Sequence, residues 1–295
     1  MDHHTRGLLE IHIASFILGF VGIIGKFLTL TPVQIVFGRV LFASLALFVL
    51  LRIAKIPLRL HSRKDALSLL FLGVLLPFHW FCFFQSVYIA SVAIGIITFA
   101  AFPVFVVLFD PLFSRTRIRM KELIIACITL FGVSLVAPSL DISSAATQAT
   151  LWGLGSACTF AILSILNRQH VARYPSLLVA FYQDAVAVLV LLPFILVSPP
   201  TVGTQDLLLL ILLGTVCTAG GHSLLIKGMR YVRAQTASII TTLETVYGLI
   251  LAALIFGDIP TPRMLIGGII ILAMAIVSSA MQHSELVVAE QTSRE

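Results

Sequence analysis

Charge is what this 295-residue sequence has least of: 11% of its residues are Asp, Glu, Lys or Arg, against 59% that are apolar. An ordinary soluble domain carries roughly 25% charged residues, and even at about 300 residues it leaves about a quarter of its unfolded surface in water. A water-soluble fold is thereby excluded, and lipid must be the remaining solvent. Cysteine is also scarce. Cys82, Cys127, Cys158 and Cys217 all fall in apolar runs without CxxC or Cys/His spacing, so they read as buried free thiols, not metal ligands. Neither HExxH nor GxGxxG nor GxxxxGK[ST] occurs, which removes the usual routes to a metal-dependent hydrolase, a dinucleotide enzyme or a built-in ATPase. No cofactor or metal is therefore expected, and any pumping would be secondary. The net charge of +6 does not point to nucleic acid, because the basic residues sit between apolar runs instead of forming a basic face with interleaved aromatics.

What is present is a series of long apolar runs. Windows of about 19 residues place spans at 8–26, 32–51, 66–86, 90–112, 120–138, 149–167, 176–197, 206–226, 234–256 and 262–281. A membrane β-barrel would need alternating segments of about 10 residues; these runs are unbroken for twice that, so the spans are helices. The first run lacks a small-residue cleavage site and reads as a retained span, not a signal peptide. With the N-terminus inside, 16 of the 19 Lys and Arg fall on the cytoplasmic side, among them the 52–64 loop, Arg115, Arg117, Arg119, Arg168, Arg173, Arg233 and Arg294. Only Lys26 and Arg263 lie toward the other side, and Arg39 is left within a span. The bias predicts N-in, C-in topology; the membrane expected is a plasma membrane, the inner membrane in a bacterium.

The chain also resembles itself at a distance of about 142 residues. Tyr88 begins YIASVAIGIITFAAFPVFVVLFDPLF and Tyr231 begins YVRAQTASIITTLETVYGLILAALIFGD, each followed by a short loop and a Gly-containing apolar run. Two halves of five spans enter the membrane from opposite sides, because five is odd. The expected architecture is an all-α polytopic membrane protein of ten transmembrane helices in two inverted five-helix repeats: 1–140, 149–282, and a polar tail over 283–295. Inverted repeats mark transporters whose substrate site lies near the midplane where the halves meet.

Charged groups inside spans are costly and default to functional candidates. Glu244 stands near the middle of span nine; it can bind a substrate cation or exchange a proton, or be a structural carboxyl satisfied by Thr241, Thr242 or Thr245. Arg39 in span two offers a clamp for a substrate carboxylate, or else a structural ion pair with Glu244 or with Asp184 of span seven. His79, Trp80 and Gln85 make a polar and aromatic patch on span three that either lines a cavity or ties helices together. His222 follows Gly220-Gly221, Tyr247 shares a helical face with Glu244, and Asp110 reads as an interfacial charge. Pro103 removes a backbone donor from span four and is a candidate gating kink, with Thr245 as its approximate repeat equivalent.

These segments carry a resemblance. Tyr231-Val232, Leu243-Glu244-Thr245-Val246-Tyr247, Gly257-Asp258 and Gly267 to Ile276 in the second half, with Thr31-Pro32 to Ala43, His79-Trp80 to Tyr88 and Phe102-Pro103-Val104-Phe105 in the first, are similar to the drug/metabolite transporter superfamily in its ten-span, EamA-type branch. The sequence departs from that pattern at Thr245, where Pro is common, and at Asp258, where Glu is common, so the resemblance does not by itself carry over a helix break in span nine. The resemblance implies a carrier, commonly an exporter of amino acids, metabolites or toxic small molecules, with a central cavity lined by spans one to four and six to nine. The expected partners are a small-molecule substrate and the lipid bilayer, with oligomerisation left open, although Gly267, Gly268, Ala273 and Ala275 offer small residues for close packing. A noncatalytic membrane subunit is the alternative, with a membrane enzyme behind it.

Overall fold

The computed structural model describes residues 3–114, 120–136, 141–232 and 234–292, and all regular structure among them is helical. Seven helical segments have the length and apolarity to cross a membrane: His3–Phe27, Pro32–Ile53, Arg63–Ile89, Val92–Phe113, Ala145–Val171, Ser176–Val197 and Thr204–Gly228. The shorter apolar helices Leu123–Val136, Leu243–Phe256 and Pro262–Val277 make up the set of ten spans, numbered one to ten in chain order. Side chains such as Leu189, Val197 and Leu254 are 67%, 87% and 78% exposed, the inverse of a soluble surface and what a lipid-facing one requires. Cys127 belongs to that exposed side, whereas Cys82 and Cys217 are buried and Cys158 is half-buried, all four free. The expected burial of all four thus holds for two. Arg115, Arg117, Arg119, Arg233 and Arg294, part of the one-sided charge pattern, lie outside the described residues. The last helix runs from Pro262 to Thr292 and takes in residues expected to form a tail.

Local chemistry sets the helix ends. Thr31 and Gln34 form a reciprocal capping box ahead of Pro32 at the first helical position, which satisfies backbone donors and places proline where it has none to lose. Ser62 and Ser144 accept from Asp65 N and Thr147 N at 3.1 and 3.2 Å to open spans three and six. Gly257 closes span nine at φ 65°, a left-handed geometry that glycine adopts without strain.

The two halves pack as a pseudo-symmetric pair. Spans two, four and five each lie against their own counterparts, seven, nine and ten. Span three packs on six and seven; correspondingly, span eight packs on one and two. Span four meets six as span nine meets one. Even the tight spots correspond. A Cβ on Gly214 of span eight would meet Phe42 Cβ at 2.6 Å and the Arg39 carbonyl at 2.7 Å, while one on Gly73 of span three would collide with Val186 and approach the Gln183 carbonyl at 3.2 Å. Exchanging the halves therefore maps Arg39 onto Gln183. Gly267 likewise uses its missing side chain inside the molecule, against Gly132 of span five.

Among the described residues, four spans are interrupted. Span one turns at Gly19–Phe20, and span eight carries a wide π turn over Leu213–His222 between Thr204–Leu212 and Ser223–Gly228. Span four is split into Val92–Phe99 and Phe102–Ser114, and span nine, its counterpart, into Ala234–Thr241 and Leu243–Phe256. The span-four break falls at Ala100–Ala101, where the Ala101 N–H reaches back to Thr98 O at 3.2 Å. Pro103 is the second residue of the following segment, a first-turn position where its absent N–H costs little. It is a helix starter more than a kink inside a helix. Span nine breaks at the equivalent place with no proline at all.

Candidate functional site

The central cluster is assembled where spans two, three, seven, eight and nine meet. Close approach of span two to Gly214 brings Arg39 within reach of the π turn of span eight. There Nε and Nη2 of Arg39 donate to Thr218 Oγ1 at 3.0 and 2.7 Å, and the hydroxyl donates onward to Leu213 O, five residues back, at 2.8 Å. The five-residue reach fits the wide turn, which sets the Leu213 carbonyl beside Thr218; π turns of this kind recur at functional sites. The Arg39 guanidinium carbon lies 3.4 Å from the Trp80 ring centre and 5.7 Å from that of Phe84, a desolvated cation–π stack. Arg39 is fully buried, yet its Nη1 has no hydrogen-bond partner.

Around this cation the other buried polar groups are also incomplete. Asp184 is fully buried and neither of its oxygens has a partner; the same is true of Trp80 Nε1, His79 Nε2 and His222 Nδ1. Both Asp184 and Glu244 lie within electrostatic range of Arg39. Among the described residues, however, neither carboxylate is within ion-pair distance of it. A structural ion pair is thus not what holds Arg39; Thr218 and Trp80 do. Glu244 sits not in the middle of a continuous helix but in the first turn of Leu243–Phe256. A half-helix N-terminus at membrane depth carries partial positive charge that favours an anion, and such broken helices build midplane sites.

The remaining expected residues separate into two groups. His79 points Nδ1 at the Ser156 carbonyl (2.9 Å) and packs on Trp80, Phe99 and Phe160, so it ties span three to span six while its Nε2 stays free. Gln85 is only half-buried, farther along span three. Tyr247 turns its ring edge-on to Phe16 at 5.4 Å; it belongs to the contact of spans one and nine, not to the cluster. Two buried groups, one in the cluster and one beside a cleft lined in part by Lys227, were not expected. Thr218 is one hydroxyl in an apolar run, and nothing in the sequence distinguishes it. Glu10, ion-paired to Lys227 at 2.6 Å and Arg6 at 3.1 Å, sits near the end of span one, where a charge looks like an ordinary flank. Toward the face bearing the N-terminus, a cleft of about 430 Å³ is lined by Leu50, Ser176, Ala219, Gly220, Ser223 and Lys227, among others. Its floor adjoins Thr218 and His222 along the chain.

Ten apolar spans in two inverted halves, closing over a buried and partly unpartnered set of charges, give the architecture of a polytopic membrane transporter. The chain belongs to the EamA-like transporter family, which matches it twice, over residues 5–137 and 147–280, within the drug/metabolite transporter superfamily. The pseudopaline exporter CntI of Pseudomonas aeruginosa is 28% identical over 284 residues, covering 95% of this chain and 98% of that one. Transporter YxxF of Bacillus subtilis is 25% identical over 98% of this chain and 94% of its own. Inner membrane transporter YicL of Salmonella typhimurium is 28% identical over 95% and 97%. A crystal structure 16% identical in sequence superposes with a TM-score of 0.67 over 94% of this chain and 97% of its own, a likeness of fold alone.

Proposed function

We propose that the protein is a secondary carrier that exports a small zwitterionic metabolite, an amino acid or a related compound, across a bacterial inner membrane by alternating access. One observation carries this reading: a fully buried cation with a free N–H, Arg39 Nη1, and a fully buried carboxylate with two free oxygens, Asp184, lie within electrostatic range of each other without pairing. Buried polar groups need partners, and a solute bearing both a carboxylate and an ammonium supplies both at once. Trp80, whose ring already carries Arg39, offers the solute its unpartnered Nε1–H, and Glu244 at its half-helix N-terminus is the group placed to bind the ammonium or exchange a proton. The relative named as an exporter supports the direction. The one-sided distribution of Lys and Arg supports a cytoplasmic N-terminus and C-terminus, which puts the cleft ending at Ser223 on the cytoplasmic side.

The test is uptake of a labelled metabolite panel into proteoliposomes, with and without an inside-acid gradient, comparing wild type with Glu244→Gln and empty liposomes. Accumulation that needs both the gradient and Glu244 is the expected result. Folded protein that moves nothing in the panel would favour the noncatalytic subunit.

A further inference from the structure

Asp65 and Asp206 stand 141 residues apart, near the repeat distance, and both are 5% exposed. Each is the third residue of its helix, Asp65 in span three after the cap Ser62, Asp206 in span eight after Gly203. Each reaches across to the loop that feeds the span packed against it, spans seven and two respectively. On the face bearing the N-terminus, Asp65 accepts from Tyr174 Oη at 2.8 Å and pairs with Arg173 at 2.9 Å; Tyr174 Oη in turn accepts from His61 N at 2.8 Å. On the opposite face, Asp206 accepts from the Thr29 N–H at 3.0 Å and from its hydroxyl at 2.6 Å. Arg173 and Thr29 both stand two residues before the caps of spans seven and two, Pro175 and Thr31. One latch is therefore the image of the other under exchange of the halves, and the central cluster lies between them.

We propose that Asp65 and Asp206 are the two gate latches of the carrier, released one at a time. The reasoning rests on the alternating-access reading above. In an inverted repeat the two end states differ by which half adopts which shape, so where one end state opens a contact, the other opens its image. Both are closed here, together with a buried cluster, as an occluded intermediate requires. Ser176 and Pro175, which line the 430 Å³ cleft with Ser223, directly follow the Arg173–Tyr174 side of the first latch, so opening it extends that cleft toward His222.

Native Cys217, buried beside Thr218, reports access without any knowledge of the substrate. In a Cys82→Ala, Cys127→Ser, Cys158→Ser background, a membrane-impermeant maleimide is added to one side of sealed vesicles of each orientation. Asp206→Ala should raise Cys217 labelling about tenfold or more from the face opposite the N-terminus only, and Asp65→Ala from the N-terminal face only, the scale set by losing charge-assisted bonds. Thr29→Val and Tyr174→Phe, which each remove one hydroxyl, should act in the same directions more weakly, and they decide the matter if the aspartate variants do not fold. Unchanged labelling, or a rise from the same face for both latches, overturns the proposal. If labelling follows the latches while no solute moves, the latches stand and the substrate reading falls; if a solute moves while labelling ignores the latches, only the latches fall.

Discussion

Thr218→Val keeps the shape of the side chain and removes one oxygen, and that oxygen does three things: it accepts from two Arg39 N–H groups and donates to Leu213 O. Hydrogen bonds to a charged group are worth about 1.5–3 kcal/mol each in soluble proteins, while single interhelical bonds in membranes average about 0.6 kcal/mol because partly unfolded states find other partners. The two Arg39 bonds share one acceptor and do not add fully. Arg39 is fully buried, so no water stands in for the loss, and the variant is expected to be destabilised by about 2 kcal/mol. Thermal or denaturant unfolding in one detergent, with Thr218→Ser as the rescuing control, measures this. A Thr218→Val protein as stable as Thr218→Ser would refute the view that this hydroxyl anchors the guanidinium. A double-mutant cycle with Arg39→Met should recover most of the coupling between the two sites.

Gly214→Ala should cost about 1–3 kcal/mol through overpacking against Phe42 and the Arg39 carbonyl, whereas Gly220→Ala, whose nearest neighbour is 3.6 Å away, should be nearly silent; unfolding midpoints of the pair check both. Gly257→Ala meets nothing within 4 Å, so its expected loss of about 1–2 kcal/mol is conformational strain alone, and Gly257→Asn should lose less. Bonds from the Ser143 hydroxyl and amide hold the exposed Asp141 carboxyl below the usual carboxylate range. The Asp141–Ser143 turn should therefore stay intact above the ordinary Asp pKa and loosen only as pH falls through the lowered value, as an NMR titration of the Asp141 carboxyl would record.

Span number and inversion were legible because membrane thickness fixes run length and because loop charge alternates in sign of side. Arg39, Asp184 and Glu244 were legible for a related reason: a charge deep in an apolar run has few explanations. Thr218 was not, since a hydroxyl can satisfy itself on its own helix and leaves no mark in hydropathy. The break in span nine also escaped, because proline was the expected cause and Thr242 breaks the helix without one. Asp65 and Asp206 lie close enough to span ends to pass for solvated flanks; only aligning the halves residue by residue sets them side by side. Tyr247 shows the converse. Its spacing from Glu244 does place it three residues on, but its ring follows the contact with span one, which spacing does not report.

The pairing of span one with span eight has a consequence for how the chain is made. Glu10 and its partner Lys227 are 217 positions apart, and at about 5–20 residues per second the ribosome needs about 10–40 s to deliver the second after the first. Span one therefore enters the bilayer with a carboxylate near its end and no distant cation to meet it. Arg6, one turn away and 3.1 Å from the same oxygen, is present from the start and can hold the charge until span eight arrives. A local ion pair that adds little to the finished molecule thus has its use in time, as a chaperone of one residue for another.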